Sequence, residues 1–251
     1  CRYEKKYGLH KLRKYLHPVL GKVLRTGYAV IPGYWDAQRC IDACRQINNL
    51  LDTPEVKVWS DAVGCDKRIM GVENLSPALD LFHDSYVHGL ITALYNQTEL
   101  VGFTMGARLD YTENNLGSGQ GWHRDSAVVH QFKAILYLSD TGPKQGPFQY
   151  YKHSGNIWDM YRLESLTGIS IDDSRLEDKQ AQFEQAGLYM QEFCAPAGTL
   201  LIVNTRGIHR GKPIEQGYRY ALTNYYWTYP KVPQNIQPWL NNAAIQINPI
   251  T

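Results

Sequence analysis

The chain lacks several features that mark whole classes of protein. No apolar run approaches the roughly 20 residues that a membrane-spanning helix needs, and no internal repeat or low-complexity tract occurs. The 26 Lys and Arg residues nearly balance the 24 Asp and Glu residues, so no charge excess indicates a nucleic-acid partner. With 43% hydrophobic residues, the composition is typical of a globular protein. We therefore predict that neither a membrane nor a nucleic acid is a partner.

The five cysteines suit neither a disulfide framework nor a zinc site. Their number is odd, and Cys40 and Cys44 share one face of a segment that reads as helix. Cys1, Cys65 and Cys194 are scattered along the chain. This usage is typical of reduced thiols, and we predict a cytoplasmic protein.

The first part of the chain reads mainly as helix. The stretch TGYAVIPGYW (26–35) predicts a strand ended by a Pro-Gly turn. The next stretch (36–51) predicts a helix with Asp36 as its N-cap, and a second helix is predicted over 78–97. Residues 2–25 carry eight Lys and Arg residues against one acid. We interpret this basic stretch as a solvated helix face, although it could also serve as an arm for an acidic substrate.

From about residue 101 the pattern changes to short apolar runs separated by Gly, Pro and Asn, which predicts several strands of a sandwich or barrel. The polar stretch 172–185 interrupts them and is either a lid over a site or a surface insert. We predict one domain over 1–251, with a helical N-terminal part (about 1–100) and a jelly-roll core (about 101–230). The predicted fold class is mainly β.

Four polar residues stand at positions that favour a metal site. His123 and Asp125 precede a predicted strand, His209 follows another, and Arg219 lies on the next. Two histidines and one carboxylate can occupy one face of an octahedral metal and leave three positions open, an arrangement that suits non-haem Fe(II) oxygenases. A buried Arg219 would pair bidentately with a carboxylate, and 2-oxoglutarate is the natural candidate.

Residues near this set are further candidates. If the strand 132–138 alternates, Lys133 and Tyr137 share a face that could contact the co-substrate, although Lys133 could equally point to solvent. Arg108 and Asp110 share a face of the preceding strand and are candidates for substrate contact. Trp122 is predicted to pack against the core.

In these motifs the chain resembles the phytanoyl-CoA dioxygenase family of Fe(II)/2-oxoglutarate-dependent oxygenases. The resemblance covers about residues 24 to 228, and one departure is KHSG (152–155), where the family usually has Pro-Gly-Ser-His. Four stretches carry it in a shared order: LRTGYAVIPGYWDAQRCIDACRQI (24–47), GWHRDS (121–126), AILYLSDTGPKQGPFQY (134–150) and AGTLLIVNTRGIHRGKPI (197–214).

The resemblance implies a double-stranded β-helix (cupin-like jelly roll) core with flanking N-terminal helices. It implies that His123, Asp125 and His209 bind Fe(II) and that Arg219 binds 2-oxoglutarate. The implied reaction consumes O2, hydroxylates a small-molecule substrate, and releases succinate and CO2. Because the acid Asp125 is kept, hydroxylation is favoured over halogenation, for which relatives replace this carboxylate by a small residue.

Two other classes of function stay open. A metal-dependent isomerase or epimerase on a cupin-like barrel would favour a His-x-His pair, which does not occur in the sequence. A non-catalytic jelly-roll binding module would be expected to have lost a ligand or the arginine. The sequence identifies neither the substrate nor the oligomeric state.

Overall fold

The computed structural model describes residues 17–126 and 129–241. Most of the basic stretch and Cys1 lie outside these ranges. The four cysteines within them (Cys40, Cys44, Cys65 and Cys194) are free thiols. In the described part of the chain, every helix is too short or too polar to cross a bilayer.

Three helices precede the main run of strands. Helix α1 spans Pro18–Thr26, α2 spans Ala37–Leu51 and α3 spans Ser85–Tyr95. The prediction for α2 is confirmed, because the Asp36 carboxylate accepts a hydrogen bond from the Arg39 amide at 2.8 Å. Helix α3 is shorter than predicted, since Asp84 caps its start and Asn96, with a left-handed φ of 58°, ends it.

The strands form two antiparallel sheets. Three of them lie in the first hundred residues, where the sequence indicated mainly helices. The larger sheet has the order β1-β8-β5-β10-β4-β3-β2 and the smaller one the order β7-β6-β9. The strands are β1 (Tyr28–Ile31), β2 (Trp59–Ser60), β3 (Asp66–Met70), β4 (Val101–Asp110), β5 (Phe132–Tyr137), β6 (Phe148–Tyr151), β7 (Met190–Phe193), β8 (Leu200–Asn204), β9 (His209–Gly211) and β10 (Tyr218–Trp227).

The larger sheet is covered on both faces, and strand β8 shows why its sequence is uniformly apolar. Leu200 and Ile202 pack into the core formed with the helices, whereas Leu201 and Val203 pack between the two sheets. Side chains alternate along a strand, so a strand buried on both faces reads as a continuous apolar run. Two facing antiparallel sheets with helices on one outer face form the predicted jelly roll with N-terminal helices.

Two further helices follow β6. Helix α4 spans Ile157–Thr167 and α5 spans Gln180–Gln185. They enclose a separate apolar cluster that contains Trp122, which is 1% exposed, together with Tyr151 and Phe183. The prediction that Trp122 packs is therefore confirmed. Short 3₁₀ turns occur at Val72–Asn74, Pro77–Leu79 and Gln237–Trp239.

Candidate metal centre

Backbone pairing brings two distant histidines together at one end of the space between the sheets. The amides of His123 and His209 each donate to the carbonyl of the other residue at 3.0 Å. The Asp125 amide donates to the Thr205 carbonyl, also at 3.0 Å. The chain before β5 is thus bound along the loop between β8 and β9, so His123, Asp125 and His209 meet although the first and the last are 86 positions apart (209 − 123).

The three side chains are spaced as a metal site requires. His123 Nε2 lies 3.8 Å from one Asp125 carboxylate oxygen, and His209 Nε2 lies 3.8 Å from the other. One ligand atom from each residue can be chosen so that all three lie within 4.8 Å of one another. Two ligands each about 2.1 Å from a shared ion can be at most about 4.2 Å apart, so small side-chain rotations suffice.

The histidines are held in the tautomer that a metal needs. Nδ1 of His123 donates to the Gly121 carbonyl and Nδ1 of His209 donates to the Gly207 carbonyl, each at 2.9 Å. Both Nε2 atoms are therefore left as acceptors that face Asp125. Burial lowers the pKa of His209 to about 3 and also lowers the pKa of His123. Both imidazoles are neutral at physiological pH, which is the form that binds metals.

Gly119 makes room for one of these rings. Its φ is +86°, and a Cβ built on it would lie 2.2 Å from Cε1 of His123. Glycine adopts this backbone conformation without a steric penalty and also leaves the space that the imidazole occupies. The segment before the metal motif therefore contains a glycine for two separate physical reasons.

Asp125 is ionised because a buried lysine faces it. Burial by itself raises the pKa of the Asp125 carboxyl, but the Lys133 ammonium overrides this effect and the net pKa is lowered. Lys133 Nζ lies 2.6 Å from Oδ2 of Asp125 and 4.1 Å from the centre of the Tyr225 ring. The Lys133 side chain is 8% exposed, so it does not point to solvent. Its partner is the carboxylate.

Arg219 is buried without a complete set of partners. It is 5% exposed, and its Nε and Nη1 have no hydrogen-bond partner among the described residues. The nearby Asp66 carboxylate binds Arg68, whose Nε donates to both of its oxygens at 3.1 and 3.0 Å. A buried guanidinium with unsatisfied donors is costly unless a ligand supplies the acceptors.

A cavity of about 350 Å³ joins these groups. Lys133, Ile135 and Tyr137 of β5 line it, as the alternation predicted. The Tyr137 hydroxyl, however, donates to the Phe193 carbonyl at 3.1 Å and accepts from the Phe148 amide at 2.9 Å. Tyr137 therefore contributes its ring to the wall, while its hydroxyl is engaged by the backbone.

The interpretation of Arg108 and Asp110 as substrate contacts is wrong. On β4, the cavity is lined by Met105, Ala107 and Leu109, so Arg108 lies on the opposite face. There its guanidinium donates to Asn48 of α2 and to Asp110, at 2.9 Å each. The two residues connect the sheet to a helix.

Several cavity residues were not found from the sequence. Arg68 of β3 lines the wall, and Arg175 belongs to the stretch 172–185 that was interpreted as a lid or an insert. Arg124 N donates to Ser174 O at 2.9 Å and Leu176 N donates to Trp122 O at 2.8 Å. The stretch thus pairs with the metal motif itself and forms one wall of the cavity.

The KHSG departure lies away from the metal cavity. His153 has a φ of +68°, in the left-handed region that favours glycine, and the usual Pro-Gly-Ser-His has its glycine at this position. The His153 side chain lines a different cavity, which also contains Arg206. The metal-site geometry does not involve this residue.

Two comparisons with known proteins give matches. The family model described as phytanoyl-CoA dioxygenase matches residues 23–217. Among solved structures, the epimerase SnoN from nogalamycin biosynthesis, in complex with Fe3+, alpha ketoglutarate and nogalamycin RO, has a TM-score of 0.64 at 14% identity, covering 92% of this chain and 91% of that chain. HygX from Streptomyces hygroscopicus, with nickel, 2-oxoglutarate and hygromycin B bound, has a TM-score of 0.60 at 16% identity, covering 84% of this chain and 86% of that chain.

A third structure, the alpha ketoglutarate dependent carbocyclase SnoK from nogalamycin biosynthesis, has a TM-score of 0.56 at 11% identity, covering 92% of this chain and 94% of that chain. A comparison with curated protein sequences finds no match. At these identities the structural likeness establishes the fold and nothing finer.

Proposed function

The chain belongs to the phytanoyl-CoA dioxygenase family, and from that premise we propose that it is an Fe(II)/2-oxoglutarate-dependent oxygenase that hydroxylates a small molecule. One observation carries the proposal: three side chains that could bind a metal ion line the same cavity as a buried arginine with unpaired donors. The similar solved structures support it, since SnoN was solved in complex with Fe3+ and alpha ketoglutarate.

The donor set fits iron in this role. His123 and His209 would each supply Nε2 and Asp125 a carboxylate oxygen, which is the facial set of two histidines and one carboxylate. When bound, Fe(II) and 2-oxoglutarate would supply the electrons that activate O2, which is the oxidant, and 2-oxoglutarate would leave as succinate and CO2.

The chain's own residues would bind, orient and shield the reactants. The Gly121 and Gly207 carbonyls hold the imidazoles in one orientation, and Lys133 holds the carboxylate through Oδ2. Arg219 would bind the distal carboxylate of 2-oxoglutarate by a bidentate pair. The apolar side chains in the cavity wall, such as Met105, Leu109 and Phe148, would help to keep water away from the reacting groups, so that oxidation is directed to the bound substrate.

Anaerobic addition of Fe(II) and 2-oxoglutarate to the protein tests this function. We expect a visible charge-transfer band that is absent in His209→Ala and retained in His83→Ala, a matched histidine on the surface. Admission of O2 should then form succinate. Stoichiometric iron binding with no band on addition of 2-oxoglutarate would contradict the proposal and favour the binding-module or isomerase alternatives.

A second candidate differs only in the outcome of the oxidation. The relatives SnoN and SnoK are described as an epimerase and a carbocyclase, so the same site could invert a stereocentre or close a ring. Mass spectrometry of the product distinguishes these outcomes, because hydroxylation adds one oxygen atom, epimerisation leaves the mass unchanged and ring closure removes two hydrogens.

A further inference from the structure

A second cavity, of about 270 Å³, lies where helix α4 begins beside the loop that follows β8. It shares no lining residue with the metal cavity. Asn156, Ile157 and Trp158 form one side, and Asn204 and Arg206 form the other. The proposed oxygenase reaction makes no use of these residues.

Arg206 is the most unusual residue of this cavity. It is 7% exposed, and within the described ranges its Nε has no hydrogen-bond partner and no carboxylate forms an ion pair with it. Burial lowers the pKa of its guanidinium, although an arginine stays charged at physiological pH. A buried cation without a counter-charge is unfavourable, and an anionic ligand would remove that cost.

The start of α4 supplies further donors. The helix has 11 residues, and the Asn156 side chain accepts from the Trp158 amide at 2.9 Å. The other amides of the first turn have no partner within the helix, and the helix dipole makes this end positive. Asp159, the acid of the first turn, lines another groove together with Arg162. It therefore does not occupy this cavity.

His130 offers a donor of defined tautomer. Nδ2 of Asn204 donates to Nδ1 of His130 at 2.9 Å, so the proton of the neutral imidazole is on Nε2. The His130 ring is stacked on Phe132 at a centroid distance of 5.6 Å, which fixes its plane. The Arg206 amide also approaches Oδ1 of Asn204, at 3.4 Å. Asn204 thus connects the two donor-bearing residues.

We propose that this cavity binds a phosphate-type oxyanion, either inorganic phosphate or the phosphate of a small monoester. The ligand would accept hydrogen bonds from the Arg206 guanidinium, the first amides of α4 and His130 Nε2. No Asp or Glu is among the described residues that line the cavity. A second arginine, Arg25, is among them. Helix N-termini and guanidinium groups are common donors to phosphate oxygens.

Isothermal titration of the full chain with inorganic phosphate, at constant ionic strength, tests the proposal. We expect saturable binding to one site, weakened at least tenfold in Arg206→Gln. Arg162→Gln is the matched control, because it removes the same charge from an exposed position of α4 and should leave the midpoint unchanged. His130→Ala should weaken binding less than Arg206→Gln does and provides a test if Arg206→Gln does not fold.

A second arm separates this site from the metal cavity. Phosphate binding should persist in Arg219→Leu, and 2-oxoglutarate binding should persist in Arg206→Gln. The proposal is overturned if no saturable binding is found, if Arg162→Gln and Arg206→Gln weaken it equally, or if the binding is lost in Arg219→Leu. Each of these results leaves the oxygenase proposal intact, because that proposal stands on a different cavity.

Discussion

Replacement of Arg219 by leucine should raise the stability of the metal-free protein while weakening its binding of 2-oxoglutarate. The guanidinium is 5% exposed and two of its nitrogens have no partner among the described residues. An unsatisfied buried polar group costs about 1–3 kcal/mol. A leucine is shorter but carries no polar group, so it removes that cost, and we expect the free energy of unfolding to rise by up to about this amount.

The loss of affinity follows from the interaction that the arginine would make. A hydrogen bond to a charged group contributes about 1.5–3 kcal/mol, and about 1.4 kcal/mol corresponds to a factor of ten. The midpoint for 2-oxoglutarate should therefore rise by about tenfold to about 150-fold. Arg219→Lys should recover part of this loss, since an ammonium cannot make the planar fork.

Two measurements on each variant check this prediction: urea unfolding of the metal-free protein, and anaerobic titration of 2-oxoglutarate into the iron-loaded protein. Arg108→Leu is the control, because Arg108 lies on the opposite face of the sheet and is paired with Asp110 and Asn48. It should lose up to about 1 kcal/mol of stability and keep its 2-oxoglutarate midpoint. An Arg219→Leu variant that is destabilised and binds 2-oxoglutarate normally would refute the reasoning.

Three other predictions concern the metal ligands and their surroundings. His123→Ala, Asp125→Ala and His209→Ala should each abolish turnover and reduce bound iron while leaving the far-ultraviolet circular dichroism unchanged. A variant with normal iron content and normal activity would show that the replaced residue is not a metal ligand. Gly119→Ala should weaken iron binding at least tenfold by displacing His123. Gly64 has a φ of +71° but nothing within 4 Å of the added Cβ, so Gly64→Ala should cost only about 1–2 kcal/mol of stability and leave iron binding unchanged. Equal iron affinity in the two variants would contradict this prediction. Burial holds the folded pKa of His209 near 3, below its usual 6.5, so between these pH values only the unfolded chain binds the extra proton. As the pH is lowered through this range, the metal-free protein should therefore lose at most about 1.4 kcal/mol of stability per pH unit. Urea unfolding at several pH values should show a weaker dependence of the unfolding free energy on pH in His209→Asn than in the wild type.

The order of the motifs indicated which residues meet in the candidate site, and alternation along a strand specifies which side chains share a face. On β10 the period of two places Arg219 with Ala221 and Thr223, and all three line the cavity. Alternation does not specify which face is inside. Arg108 was misassigned for that reason, since its face is decided by the packing of α2, whose Asn48 receives the guanidinium.

Other features depend on contacts that no local pattern encodes. Arg68 reaches the cavity because it pairs with Ala107 of β4, which also lines the cavity. The stretch 172–185 has a polar, helix-forming sequence, yet Leu176 N donates to Trp122 O. Its position is set by pairing over more than fifty residues (176 − 122). Burial of Arg206 likewise requires the approach of α4 to the loop after β8.

Within the described ranges, two pairs of cations differ in whether a carboxylate faces them. Lys133 and Arg68 each face a carboxylate, of Asp125 and Asp66 respectively. Removing either cation would strand a buried negative charge, which destabilises a fold. Arg219 and Arg206 have no carboxylate in contact within the described ranges, so their removal should leave the free protein as stable or more stable and should weaken only ligand binding. The sign of the stability change therefore tests whether a cation supports the scaffold or, as we propose for Arg219 and Arg206, binds a ligand, and it can be measured before either ligand is known.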